Sequence, residues 1–133
     1  VDPEQPGAGA AGGTGFGLLA WGARLVPGAA EVAELIALRA AIAHAALVIT
    51  GEGSYDGQSA DGKVPAFVAG LAREAGTPAA LVAGRIGPDA DTSGFARSVS
   101  LSELAGSAEA SLAGPARWLR AAGRALADPA REW

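Results

Sequence analysis

The sequence predicts an α/β fold, a layered and mostly parallel sheet with flanking helices, and three observations predict it. Ala46–Thr50 and Ala79–Ala83 are short, continuously apolar runs, the pattern of strands buried on both faces. Val64–Ala75, between them, carries Phe67, Val68 and Leu71 at helical spacing. Each strand then runs into a glycine-bearing loop, Thr50 to Pro65 after the first and Gly84 to Gly87 after the second. Strand, loop, helix, strand, loop, strand, helix is the order of an α/β layer with parallel strands. Open sheets of this class bind ligands beyond the carboxyl ends of their strands, so both loops are expected at one edge.

The elements follow in order. Residues 1–28 form a glycine-rich loop and helix lead-in, residues 29–127 the α/β body, and residues 128–133 a tail. Between Gly7 and Gly15 there are five glycines in nine residues, followed by Phe16 to Trp21. Such a loop opening a helix could aim backbone N–H groups at a phosphate; it could equally serve close packing or a hinge. It is not a Walker loop, because no Gly-Lys-Ser/Thr follows it. Ala29 to Ala43 reads as helix, with a break near Ala37, and His44 follows as a helix-end or surface residue.

Pro65 suits the first turn of the next helix and Gly76 its stop. Pro88 to Gly94 is turn-rich; its two aspartates lack the other ligands of a calcium loop. Phe95 to Leu101 is a third, weaker strand, and Ser102 to Leu104 a short helical turn. Ser107 caps a further segment, Gly114-Pro115 breaks it, and Arg117 to Ala127 is the last helix, with Leu119, Ala122 and Leu126 on one face and Trp118 as a packing anchor.

The 133 residues are one domain's length, and half of them are apolar. A net charge of −4 with scattered basic residues argues against nucleic acid and against an anionic membrane surface. There is no cysteine for a disulfide or thiolate site, and one histidine excludes a histidine-rich metal centre. No apolar run reaches the roughly 20 residues of a membrane span, and the acidic start is unlike a signal peptide; the expected location is the cytoplasm. The lack of methionine and the Val1-Asp2-Pro3 start lead us to expect a piece of a longer protein.

The chemistry concentrates in Thr50 to Pro65, which holds Glu52, Asp56, Asp61, Gln58, Ser54, Ser59 and Lys63, the single lysine of the chain. Phosphoryl transfer needs positioning, neutralised phosphate charge and a group that orients or deprotonates the attacking hydroxyl. Lys63 can neutralise phosphate near a helix start. Asp56 or Glu52 can hold magnesium or act as base. Gln58 and Ser59 can bond a polyhydroxy or carboxylate substrate. The same composition also suits a solvated loop, a binding module without chemistry, or a structural half-domain completing a sheet begun elsewhere.

Ile49-Thr50-Gly51-Glu52-Gly53, then Asp56, Gln58-Ser59 and Gly62-Lys63 with Pro65, closely resembles the signature of the bacterial glycerate kinase family. Gly7 to Gly13, with Gly15-Phe16-Gly17 after it, resembles that family's second signature, and Ala83-Gly84 also fits. The similarity covers nearly the whole chain. It implies an ATP-dependent kinase that phosphorylates D-glycerate with magnesium, giving 2-phosphoglycerate, built from two α/β domains with the site between them. This chain resembles the C-terminal portion; the family's Asp-Ser-Phe-Lys-Gly-Ser stretch is not in it, so the piece alone is expected to be inactive and to need the N-terminal remainder of its own chain. On this reading the catalytic residues are Lys63, for phosphate neutralisation, and Asp56, for magnesium or for orienting the hydroxyl, with Glu52 in reserve, while Gln58 and Ser59 contact substrate. Gly9, Gly12, Gly13, Gly51 and Gly53 are assigned to phosphate or cofactor. Two positions depart from the pattern: Ser54 stands where the family often carries a larger polar or basic residue, and Phe67 where a glycine is common.

Overall fold

A computed structural model describes residues 1–57 and 63–128. Helices α1 (Ala10–Ala20), α2 (Gly28–Leu35) and α3 (Leu38–Ala43) precede strand β1 (Val48–Tyr55). Helix α4 (Val64–Ala75) leads to β2 (Ala79–Ile86) and then β3 (Arg97–Ser100), and α5 (Leu101–Ala105), α6 (Ala108–Ala113) and α7 (Pro115–Leu126) follow. The three strands lie in the order β1-β2-β3 and both pairings are parallel, as the strand–helix–strand order predicts.

Helix α4 forms where the sequence places it. Pro65 sits in the first turn, where its missing N–H is no loss, and Gly76 ends the helix at φ 69°. The break near Ala37 is also present: Ala37 takes the left-handed φ of 51° and separates α2 from α3. Ser107 caps α6 by accepting a hydrogen bond from the Ala110 N–H. Trp118 anchors α7, its indole N–H donating to the Ala110 carbonyl at 3.1 Å.

The strand boundaries need correction. β1 runs on through Gly51, Glu52, Gly53 and Ser54 to Tyr55, residues whose composition reads as loop. β2 likewise continues to Ile86. The register explains why, since Val48 pairs with Ala79 and the pairing persists to Tyr55 opposite Ile86. Each strand satisfies the other's backbone groups, a gain that local composition does not register. β3 is shorter than expected, because Phe95 turns into the core and Leu101 already begins α5. α7 starts at Pro115, two residues before the expected Arg117.

Alternation sorts the sheet's two faces. Ala79, Leu81 and Ala83 belong to the core with Ala69, Leu71 and Ala72 of α4 and Ile42 of α3. Val82 and Gly84 face the other way, toward Leu101, Leu119 and Leu126 of α5 and α7. Close approach within the sheet explains two glycines. A Cβ on Gly51 would stand 2.1 Å from the Val82 carbonyl oxygen, and one on Gly84 would stand 2.5 Å from that of Gly53. Tyr55 closes the core at the carboxyl edge, its ring edge-on to Phe95 with centroids 5.7 Å apart. No helix among the described residues is long and apolar enough to cross a membrane.

Candidate functional site

The paired ends of β1 and β2 carry the site. The Gly87 N–H donates to the Tyr55 carbonyl at 2.7 Å, tying the loop after β2 to the end of β1. Asp56 leaves β1 at that point, packed so closely that a Cβ on Gly87 would lie 3.4 Å from its own. The expected juxtaposition of the two loops at one edge is therefore present. Glu52 lies within β1 on the face that turns toward α4, and Lys63 occupies the N-cap position of α4 in extended backbone. The chain thus brings Lys63 back over the strand it left.

The result is a cationic group between two carboxylates. The Lys63 ammonium lies 3.4 Å from Asp56 Oδ1 and 3.9 Å from Glu52 Oε1. The side chains are 38% exposed for Lys63, 34% for Asp56 and 21% for Glu52, so solvent reaches the cluster from one side. Glu52 Oε1 itself is buried and accepts no hydrogen bond among the described residues. A buried carboxylate oxygen without a donor is costly unless a cation or ligand group meets it. Partly exposed ion pairs contribute only about 1 kcal/mol or less, so pairing alone does not account for assembling three charges here.

The donor set fits magnesium in a limited sense. Magnesium is usually held by one or two carboxylates together with substrate phosphates and waters, and Glu52 and Asp56 are such a pair. Among the described residues no group of three or more His, Cys, Asp or Glu side chains converges as a self-sufficient cage. These two carboxylates would supply part of the ligand set of such a cation, not all of it.

Of the residues predicted from sequence, the structure joins Glu52, Asp56 and Lys63. Gln58 and Ser59 lie outside the described residues. Gly51 and Gly53 are strand residues of β1, not loop residues, and Gly51 lines a groove of about 490 Å³ with Ile49, Glu52, Leu119, Gly123 and Leu126. Gly12 and Gly13 belong to α1 and Gly9 is its N-cap residue, and among the described elements α1 packs extensively against no other. Gly12 and Gly13 have φ of 68° and 93°, and Ala11 is also left-handed, so the first turn of α1 is not the regular array of parallel N–H groups that an opening helix would offer.

Two neighbours of the site escape a reading by composition. The Tyr55 phenol, buried behind Asp56, has its pKa raised, first by desolvation and then by the charges of Asp91 and Glu52. Its hydroxyl donates to the Asp91 carbonyl at 3.2 Å. Arg85, directly opposite Ser54 in the register, donates from Nη2 to the Ser54 hydroxyl at 3.1 Å. The signal for Arg85 is cross-strand pairing, which is invisible until the two strands are aligned.

The profile of the glycerate kinase family matches residues 2–130 of this chain. An uncharacterized protein of Mycobacterium tuberculosis is 42% identical over 118 residues, covering 86% of this chain and 31% of its own length. A protein named glycerate 2-kinase from Escherichia coli K12 is 46% identical over 87 residues, covering 65% of this chain and 23% of its own. Among solved structures, one assigned to glycerate kinase 2 of Salmonella typhimurium LT2 superposes with a TM-score of 0.53 at 41% identity, over 71% of this chain and 24% of that one. The chain thus spans 23% to 31% of the length of these proteins.

Proposed function

This chain belongs to the glycerate kinase family, and from that premise we propose that the full-length protein carrying it transfers the γ-phosphoryl group of ATP to D-glycerate, giving 2-phosphoglycerate. The observation that supports this most is the Lys63 ammonium seated between Glu52 and Asp56 at the carboxyl edge of the sheet. That edge is where open α/β sheets bind ligands.

In this reading a glycerate hydroxyl oxygen attacks the γ-phosphorus, the bond from that phosphorus to the β–γ bridging oxygen breaks, and ADP leaves. The hydroxyl proton passes to the Asp56 carboxylate, with Glu52 in reserve. Lys63 meets the negative charge on the transferred group, aided by the positive end of α4. Gln58 and Ser59 hold glycerate, and the backbones of Gly9, Gly12, Gly13, Gly51 and Gly53 approach the nucleotide. Alternatively Asp56 would hold magnesium, with Glu52 then serving the hydroxyl, and the ion would supply neutralisation of phosphate charge. The N-terminal remainder of the protein completes the site, and the cytoplasm is the location in which ATP and glycerate meet.

The test is ADP release with D-glycerate in a full-length protein carrying this chain, with ³¹P NMR to identify the product. Lys63→Ala is expected to lower kcat by about 10²- to 10³-fold, the scale of losing one transition-state charge contact. An unchanged kcat would remove Lys63 from the mechanism, and a 3-phospho product would overturn the regiochemistry. The chain by itself is expected to show little or no turnover in the same assay; a rate near that of the full-length protein would refute the need for a second part.

A further inference from the structure

The geometry points to Arg85 as a second anion-binding cation of the site, delivered from β2 and positioned by Ser54; the inference rests on the kinase reading for the identity of the anions. Ser54 and Arg85 are register partners near the carboxyl ends of β1 and β2, one pair before Tyr55 and Ile86, after which Asp56 and Gly87 leave the sheet. Its guanidinium is exposed and donates to the Ser54 hydroxyl at 3.1 Å. Arg85 has no ion-pair partner among the described residues, whereas Glu52 of β1 and Asp56 just after it are engaged with Lys63.

A guanidinium tethered through one nitrogen by a neutral hydroxyl keeps its other donors and its full charge for a ligand. Its planar fork matches two oxygens of a carboxylate or phosphate, which a lysine ammonium does not. A carboxylate as tether would have cancelled that charge. Because the two residues face each other across the ladder, the same charge could be delivered from either strand. A serine at position 54, in place of the larger polar or basic residue that the resemblance leads one to expect, is thereby accounted for: the cation stands on the neighbouring strand.

The experiment uses the full-length protein carrying this chain. Arg85→Ala and Arg85→Gln are expected to weaken one anionic substrate by about 10- to 100-fold, the scale of a lost charge-assisted hydrogen bond. Loss confined to the KM and Kd of D-glycerate identifies a carboxylate partner, and loss confined to ATP a phosphate partner. The double variant Ser54→Arg with Arg85→Ser is expected to bind within about five-fold of the parent, whereas Arg85→Ser alone does not. Calorimetric titration with ATP and with D-glycerate reads the same losses without turnover, so a parent protein that binds but does not react would sink the kinase reading and leave this one standing. Affinities within two-fold of the parent for both ligands in Arg85→Ala and Arg85→Gln would overturn the proposal. So would a double variant no better than Arg85→Ser.

Discussion

The β1–α4–β2 unit and the α1–α2 region have similar alanine- and glycine-rich compositions and opposite fates. In β1–α4–β2 the apolar residues are inside: Leu81 and Ala83 are fully buried, and Ala69, Leu71 and Ala72 of α4 pack in one core with them. In α1, α2 and their connections most large apolar residues are outside, with Trp21 84%, Leu35 79% and Ile36 61% exposed. Both regions form helices from local pattern. Only the first has a sheet to close, and the sheet provides both the burial and the edge at which Glu52, Asp56 and Lys63 meet. Periodicity decides that a helix forms; a partner surface decides whether its apolar face counts.

Paired truncations sharpen that contrast. Leu81→Ala is expected to destabilise by about 2–5 kcal/mol, since it opens a cavity beneath α4 in a site with no solvent access. Leu35→Ala, of the same chemistry on α2, should change stability by no more than about 0.5 kcal/mol. Urea denaturation of the full-length protein carrying each change measures both. Equal effects would mean that the α2 leucine is buried in the full-length protein.

The same contrast explains what was legible in the sequence. Helix α4, its proline start and glycine stop, the break at Ala37 and the Ser107 cap follow from local stereochemistry, and each is present. The fold class followed from element order. The extension of β1 through Gly51 to Tyr55 did not, because glycine and glutamate read as loop until β2 is alongside to take their hydrogen bonds. The site was half legible for the same reason. Lys63, Asp56 and Glu52 lie within twelve residues and could be grouped on residue type. Arg85 lies on another strand, and its relation to Ser54 exists only in the register.

Glycine substitutions test the two regions on equal terms. Gly51→Ala would drive a methyl group to 2.1 Å from the Val82 carbonyl oxygen, so β1 and β2 must part. The expected cost is about 1–3 kcal/mol, as for overpacking a core, with the Lys63 cluster displaced along with the strand. Gly12→Ala meets no atom within 4 Å and suffers only its left-handed φ of 68°, which costs about 1 kcal/mol. Thermal unfolding ranks them; a Gly12 variant less stable than the Gly51 variant would mean that α1 is tightly held in the full-length protein.

The smallest effect is one that only the sheet region can show. Tyr55 is the single tyrosine of the chain and is buried at the edge of the core. Burial raises its phenol pKa above the usual value, and the charges of Asp91 and Glu52 act in the same direction. In the unfolded chain the phenol loses its proton near pH 10, while the folded chain holds it to higher pH. The folded state therefore binds more protons in that window, and stability falls as pH rises through it; below about pH 10 the contribution is fully present. Tyr55→Phe should remove this alkaline loss, at a cost near neutrality of about 1 kcal/mol for the hydroxyl's bond to the Asp91 carbonyl. Denaturation midpoints on either side of that window, for parent and variant, separate the two effects. A parent and a variant that lose stability in parallel above pH 10 would show that the phenol is ionised as readily in the folded edge as in the open chain, and that the edge beside Asp56 is wetter than its packing implies.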